Sequence, residues 1–211
     1  MALSKLAANS FDLTDNYAFT GTTTGAVSTQ KLFLIKNIDA SSSGTVSFVN
    51  GSSSVVFDNT YKTYYFKFIN VHPATDNQKF QFQATTDGSN FNTTVTTTTF
   101  IAAHKEDDSA ASLDYESDHD ISQGTGFARL ASGVKNDNDS SCTGELWFFN
   151  PSSTTFVKHW FSRVAEMHNH PAARDVLGAG YFNTTSAITG VQFKMASGNI
   201  DSGRIALYGI K

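Results

Sequence analysis

The sequence predicts an all-β chain, an antiparallel jelly-roll-like β-sandwich preceded by an extended N-terminal arm. Three observations point there. Short runs in which apolar and polar residues alternate recur along most of the 211 residues, the period of strands that bury one face. Charged residues are only 16% of the chain where about 25% is usual, and 18 phenylalanines supply most of the core volume. Ser, Thr and Asn fill the intervals, a mixture that favours strands and turns over helices.

In chain order, residues 1–30 form a polar lead in which Phe11, Leu13, Tyr17 and Phe19 fall at spacings of two and four, so one side of an extended arm is apolar. The lead is either an arm that docks on a neighbouring subunit or a first strand packed on its own domain, residues 31–211. Strands are expected at 31–38, 44–49, 55–58, 63–71, 79–85, 92–102, 125–130, 145–150, 155–164, 188–195 and 204–210. Tyr64, Phe66 and Phe68 share one face of their strand, and Phe80 and Phe82 share one face of the next. Between them, 73–77 reads Pro-Ala-Thr-Asp-Asn, a turn in which Pro presets its own dihedral and Asp and Asn bond the following backbone. Asp87-Gly88 centres a second turn, of hairpin type. Two long stretches, 104–124 and 164–180, interrupt the strand pattern and are expected as loops carrying binding surfaces, with one or two helical turns near 172–177. Eight or more antiparallel strands on two sheets define the jelly-roll class.

The final stretch, 187–211, reads as a terminal β-hairpin. Val191, Phe193 and Met195 alternate with polar neighbours in its first half, and Ile205 and Leu207 in its second. It also resembles the closing segment of small β-sandwich structural proteins of tailed phages, notably marine ones, which often end Ala-Ile-x-x-Val/Ile-x-Phe-x-Met-x-Ser-Gly-Asn-Ile-x-Ser-Gly-x-Ile-x-Leu-Tyr-Gly. Ala187, Ile188, Phe193, Met195, Ser197, Gly198, Asn199, Ile200, Ser202, Gly203, Ile205, Leu207, Tyr208 and Gly209 fit that pattern. A looser likeness extends over 34–48, 65–76 and 80–91, about half the chain in all. The resemblance implies a virion component: a capsid decoration protein binding the major capsid protein or other virion proteins, or a tail or head fibre subunit meeting the host surface. A carbohydrate-binding module, taking a host surface glycan, is the reading outside that class.

Charge and chemistry narrow the function further. A net charge of −4 offers no basic footprint for nucleic acid. Cys142 is the sole cysteine, so no internal disulfide can form, and the first nine residues lack an apolar run suited to a signal or membrane span. The expectation is synthesis in the host cytoplasm, no membrane insertion, and residence in the virion. There is no Gly-x-Ser-x-Gly elbow, His-Glu-x-x-His, phosphate-binding loop or dinucleotide fingerprint, and Cys142 sits in no nucleophile signature; it reads as a turn or edge residue. Paired glycosidase carboxylates are diagnosed by their separation in space and leave no sequence mark. The chain is read as non-enzymatic and without a cofactor.

Three sets of residues are candidates for binding. Asp114, Glu116 and Asp118 have the alternate spacing of a calcium loop, but His119 stands where such a loop needs Gly and no closing Glu follows, so a solvated acidic loop is the plainer reading. His168 and His170 would point the same way on an extended segment and could share a metal, yet no spacing names further ligands. Finally, Trp147, Trp160, Phe161, Tyr208 and Ile210 exceed the needs of one core and suggest a homo-oligomer, with a trimer expected about a rotation axis. Tyr61, Trp147 and Trp160 are the alternative stacking platforms for sugar rings.

Overall fold

The structure, a computed structural model, describes residues 32–211. Phe11, Leu13, Tyr17, Phe19 and the whole expected arm therefore lie outside the described residues. Twelve strands are present among the described residues. They are β1 (Leu32–Ser43), β2 (Val46–Val49), β3 (Thr63–Pro73), β4 (Phe80–Thr85), β5 (Val95–Lys105), β6 (Ala111–Tyr115), β7 (Ala128–Arg129), β8 (Cys142–Phe149), β9 (Lys158–His168), β10 (Ala172–Phe182), β11 (Gly190–Met195) and β12 (Ile200–Ile210).

Two antiparallel sheets pack face to face. The larger has the order β1-β12-β3-β8-β9-β10-β5-β6 and the smaller β2-β11-β4-β7. Two interleaved four-stranded halves, β1-β12-β3-β8 and β2-β11-β4-β7, form a jelly roll, the architecture of two nested Greek keys. Two excursions, β5–β6 between β4 and β7 and β9–β10 between β8 and β11, add four strands to one side of the larger sheet.

The core is phenylalanine, as the composition requires. Phe193 of β11 is its hub, with ring centroids 5.1 Å from Phe66, 5.4 Å from Phe68, 5.8 Å from Phe80, and 6.2 Å from both Phe48 and Phe82. Several of these pairs meet edge to face, the arrangement the ring quadrupole favours. Two polar groups drawn into the core, on Tyr64 and Lys158, are satisfied locally. The Tyr64 hydroxyl donates to the Asp58 carbonyl at 3.2 Å and accepts from the Asp58 amide at 3.1 Å, and burial pushes its phenol up to about 12. Lys158 donates from Nζ to the carbonyls of Phe156 (2.8 Å) and Thr184 (3.0 Å), and burial lowers its ammonium.

Several expectations need correction. Residues 55–58 form no strand, although Val55 and Phe57 are buried as the pattern requires; the Phe57 amide donates to the side-chain oxygen of Asn50 instead of to a ladder. The stretch 164–180 is not a loop with helical turns but the hairpin of β9 and β10. Ala, Arg and Leu in 172–177 favour a helix intrinsically, yet β10 finds ladder partners on both sides, β9 and β5, and tertiary pairing overrides propensity. Likewise 104–124 holds the end of β5, the edge strand β6 and a single 3₁₀ turn, Ser117–His119. Cys142 is neither turn nor edge: it opens the central strand β8, fully buried, and burial raises its thiol well above its ordinary value.

The terminal hairpin is also corrected. β11 pairs with β2 and β4 in the smaller sheet, whereas β12 pairs with β1 and β3 in the larger, so the two strands face one another across the core. Their alternation holds: Val191, Phe193, Ile205 and Leu207 are all fully buried. The turns at 73–77 and 87–88 behave the same way, each passing the chain from one sheet to the other. Asp87 accepts the side-chain nitrogen of Asn90 (2.7 Å), the amides of Asn90 (2.8 Å) and Ser89 (2.9 Å) and the Thr85 hydroxyl (2.8 Å), contacts led by the Asn90 side chain that hold its carboxyl well below the usual range.

Gly203 is required both by its backbone angle and by a close approach. Gly203 lies at φ 119° where β12 shifts register against β3, and a Cβ there would sit 2.5 Å from the Asn70 carbonyl oxygen. Gly203→Ala is expected to destabilise the domain by more than about 1 kcal/mol, a fall in melting temperature of at least about 2–4 °C. An unchanged thermal melt would show that the bulge relaxes without strain.

Candidate docking surface

A strand that buries one face should be polar on the other. β8 breaks that rule in its sequence, since Leu146, Trp147, Phe148 and Phe149 are apolar on both parities. In β3, Tyr64, Tyr65 and Phe66 do the same, and in β9 Trp160 is followed by Phe161. Leu146, Phe148, Tyr64, Phe66 and Trp160 point into the sandwich. Their neighbours Trp147, Phe149, Tyr65 and Phe161 are carried by the same pleat to the outer face of the larger sheet.

Cross-strand register aligns them. One row runs Tyr208, Tyr65, Trp147, Phe161 across β12, β3, β8 and β9. Its ring centroids are 5.8 Å apart for Tyr208 and Tyr65, 4.8 Å for Tyr65 and Trp147, and 6.1 Å for Trp147 and Phe161. Leu34 of β1 continues the row past Tyr208. Towards the other edge Leu177, Phe100 and Tyr115 stand in register on β10, β5 and β6, and Phe100 and Tyr115 are edge to face at 5.6 Å. Leu113 and Tyr115 of the edge strand are 74% and 56% exposed, and Phe161 near the middle is 44% exposed. Most of the large exposed apolar residues lie on this one face, and a concentration of exposed apolar side chains on one face marks a binding surface.

Beside the aromatic row lies an open hollow of about 640 Å³ floored by Ala102, Ala165, Ala173 and Gly144. Charged groups rim it. Arg163 donates through Nε (2.9 Å) and Nη2 (2.7 Å) to the Asp175 carboxylate, and that pairing raises its guanidinium further above its ordinary value. The Tyr65 hydroxyl donates to Glu145 at 3.1 Å; burial first, then the Glu145 charge, pushes the phenol up to about 12. Lys67, Glu145 and Arg163 are consecutive in register, so charge alternates in sign across β3, β8 and β9.

The other expected site residues fall into two groups. Trp147 and Tyr208 are on this surface. Trp160 is not: it is 3% exposed and meets Phe82 edge to face at 4.8 Å, because adjacent residues of one strand face opposite ways and Phe161 takes the outer side. Tyr61 is partly buried at the core edge, 5.9 Å from Tyr64. The acidic set is spread out, with Asp114 on β6 and Glu116 and Asp118 about the 3₁₀ turn. His168 ends β9 and His170 lies beyond it in the turn, and their rings meet edge to face with centroids 5.4 Å apart. His168 is buried, its Nδ1 accepts the His170 amide at 3.1 Å, and burial, with Arg174 adding to it, lowers the ring to about 4. Among the described residues no three His, Cys, Asp or Glu side chains converge as metal ligands would.

A buried polar cluster lies on the inner side of the added strands. Glu166 accepts the amides of Ser132 (2.7 Å) and Gly133 (3.3 Å) and the Ser132 hydroxyl, which in turn accepts Arg174 Nη1 at 3.0 Å. Burial raises the Glu166 carboxyl. With Ser132 and Glu166 both buried, the cluster pins the loop after β7 to β9. His119, also buried, is lowered to about 4 by burial and next by Arg129.

No family model, curated protein or solved structure matches this chain.

Proposed function

We propose that the protein is a non-enzymatic structural subunit of a tailed-phage virion, a capsid decoration protein that works by docking its sandwich against neighbouring subunits. The observation that carries this reading is the apolar outer face of the eight-stranded sheet, where a freely solvated sheet would be polar. The phage-like pattern in 187–211 and the jelly-roll topology support it. A second reading, a fibre subunit or carbohydrate-binding domain, draws on the same place. Trp147 and Tyr65 beside Glu145, Arg163 and Asp175 combine ring faces with hydrogen-bonding groups, as saccharide recognition requires.

Immunogold labelling of purified virions separates these readings. Label spread over the capsid shell is expected. Label confined to the tail or to fibres overturns decoration in favour of the second reading, and label absent from particles overturns the virion role. Micromolar binding by the purified chain on a glycan array, lost on Trp147→Ala, would favour saccharide recognition.

A further inference from the structure

From the register of the outer face we infer that its occupant is a second copy of this chain, docked face to face about a two-fold axis. The axis runs parallel to the strands along the mid-line between β8 and β9. This deepens the proposed docking role by naming one partner, and it rests on the same apolar face.

That mid-line divides the sheet into four strands on either side, β1-β12-β3-β8 and β9-β10-β5-β6. Rotation about it sets β8 against β9 of the second copy, β3 against β10 and β12 against β5. Side-chain rows are preserved, because the axis follows the strands. In the aromatic row, Tyr208, Tyr65 and Trp147 lie on one side, and Phe161, Ala179 and Thr98 on the other. Trp147 then meets Phe161 of the second copy, Tyr65 meets Ala179, and Tyr208 meets Thr98. The next row holds Ala206, Lys67 and Glu145 on one side, and Arg163, Leu177 and Phe100 on the other. Phe100 then meets Ala206 of the second copy, the Lys67 stem lies over Leu177, and Glu145 meets Arg163. In these two rows Tyr65, Tyr208 and Phe100 oppose the small Ala179, Thr98 and Ala206, Trp147 stacks on Phe161, and Glu145 opposes Arg163, pairings that a self-complementary surface can use.

Arg163 binds Asp175 through Nε and Nη2, so Nη1 is the nitrogen placed to reach Glu145 of the second copy. Area is sufficient. Eight strands at about 4.8 Å spacing give a width of about 34 Å, and six residues of strand give about 20 Å of length. The resulting projected area of about 700 Å² compares with about 800 Å² per partner in a standard stable interface. Two-fold docking along the mean strand direction also gives the aligned packing that twisted sheets adopt.

Charge swapping tests the arrangement with the full chain. In Glu145→Arg the two symmetry-related contacts both become Arg against Arg, and in Arg163→Glu both become Glu against Glu. Each variant alone is expected to dissociate at least about 100-fold more readily than the native chain in analytical ultracentrifugation. Mixed one to one, the two variants restore both contacts and are expected to form a heterodimer of near-native affinity. Matching circular dichroism and thermal melts establish that both variants fold. A native chain that is monomeric at all concentrations, a mass of three copies, or single variants that associate normally would each overturn the inference. So would failure of the mixture to pair. Virion labelling is independent: a monomer that still decorates particles leaves the decoration reading intact, and a dimer absent from particles removes that reading while the interface stands.

Discussion

Phe193→Ala is expected to cost about 3–5 kcal/mol, a large part of the roughly 5–15 kcal/mol that holds a domain together. The loss comes from position. Phe193 touches rings from both sheets, Phe66 and Phe68 on the larger and Phe48, Phe80 and Phe82 on the smaller, so removing it opens a cavity at the seam that neither sheet can close by moving alone. Leu207→Ala, on the facing strand and equally buried, is expected to cost about 2–5 kcal/mol. For a domain of this size the Phe193 variant should melt about 6–20 °C below the native chain. Gln192→Ser and Lys194→Ser are the controls. Gln192 reaches only the Ser47 hydroxyl at 3.0 Å, and Lys194 stands over the Phe127 ring at 4.5 Å, so each should cost less than about 1 kcal/mol. Equal losses in both sets would show that β11 does not act as a one-face strand.

Mild acid is the second strong perturbation. His119 and His168 are buried and neutral, each lowered to about 4 from 6.5 by burial, with Arg129 the second cause at His119 and Arg174 at His168. An unfolded chain takes up both protons as pH falls through about 6.5, whereas the folded chain resists until about pH 4. Stability is therefore fully present above about pH 7 and is lost between about 6.5 and 4, by about 3 kcal/mol for each histidine. Lys79 adds to the depression at His168, where the backbone bond from His170 opposes it, and Asp118 opposes it at His119. Glu166 acts in the contrary sense: burial raises its carboxyl, so protonating it on acidification favours the fold and offsets part of the loss. Thermal melts from pH 8 to pH 4.5 should be flat to about pH 7 and then fall by about 10 °C or more. His168→Gln should flatten that fall. A melting temperature that does not change across the range would mean that these histidines are accessible to protons in the folded state.

The buried strands were legible because each keeps one face in the core. Tyr64, Phe66 and Phe68, and Phe80 and Phe82, obey period two and are all fully buried. What period two does not carry is the identity of a strand's neighbour, so β11 and β12 read as a hairpin although they belong to different sheets. Turn chemistry has the same limit, since Pro73 and Asp87 mark real reversals without saying whether the chain returns in its own sheet or crosses to the other. β10 was missed because Ala172, Ala173, Arg174 and Leu177 favour a helix in isolation, and pairing on two sides exists only in the folded chain. The docking surface was half visible. Trp147 and Tyr208 stood out as surplus apolar residues, but separating them from Trp160 needs the parity of β8, β9 and β12. The breach of alternation in Leu146-Trp147-Phe148-Phe149 was the local signal of a strand apolar on both faces.

Closing of the sandwich has a consequence for how the chain is made. β1 lies along β12, with Leu32 opposite Ile210, and β2 lies along β11, with Val46 opposite Phe193. A ribosome adding about 5–20 residues per second delivers the first two strands many seconds before either ladder partner exists. Throughout that interval the nascent chain holds Phe48, Phe66 and Phe68 with no Phe193 to cover them. Folding of such a topology is slow, because its pairings join distant parts of the sequence. The last two strands thus act as a latch: neither sheet can complete its pairing until they have been made.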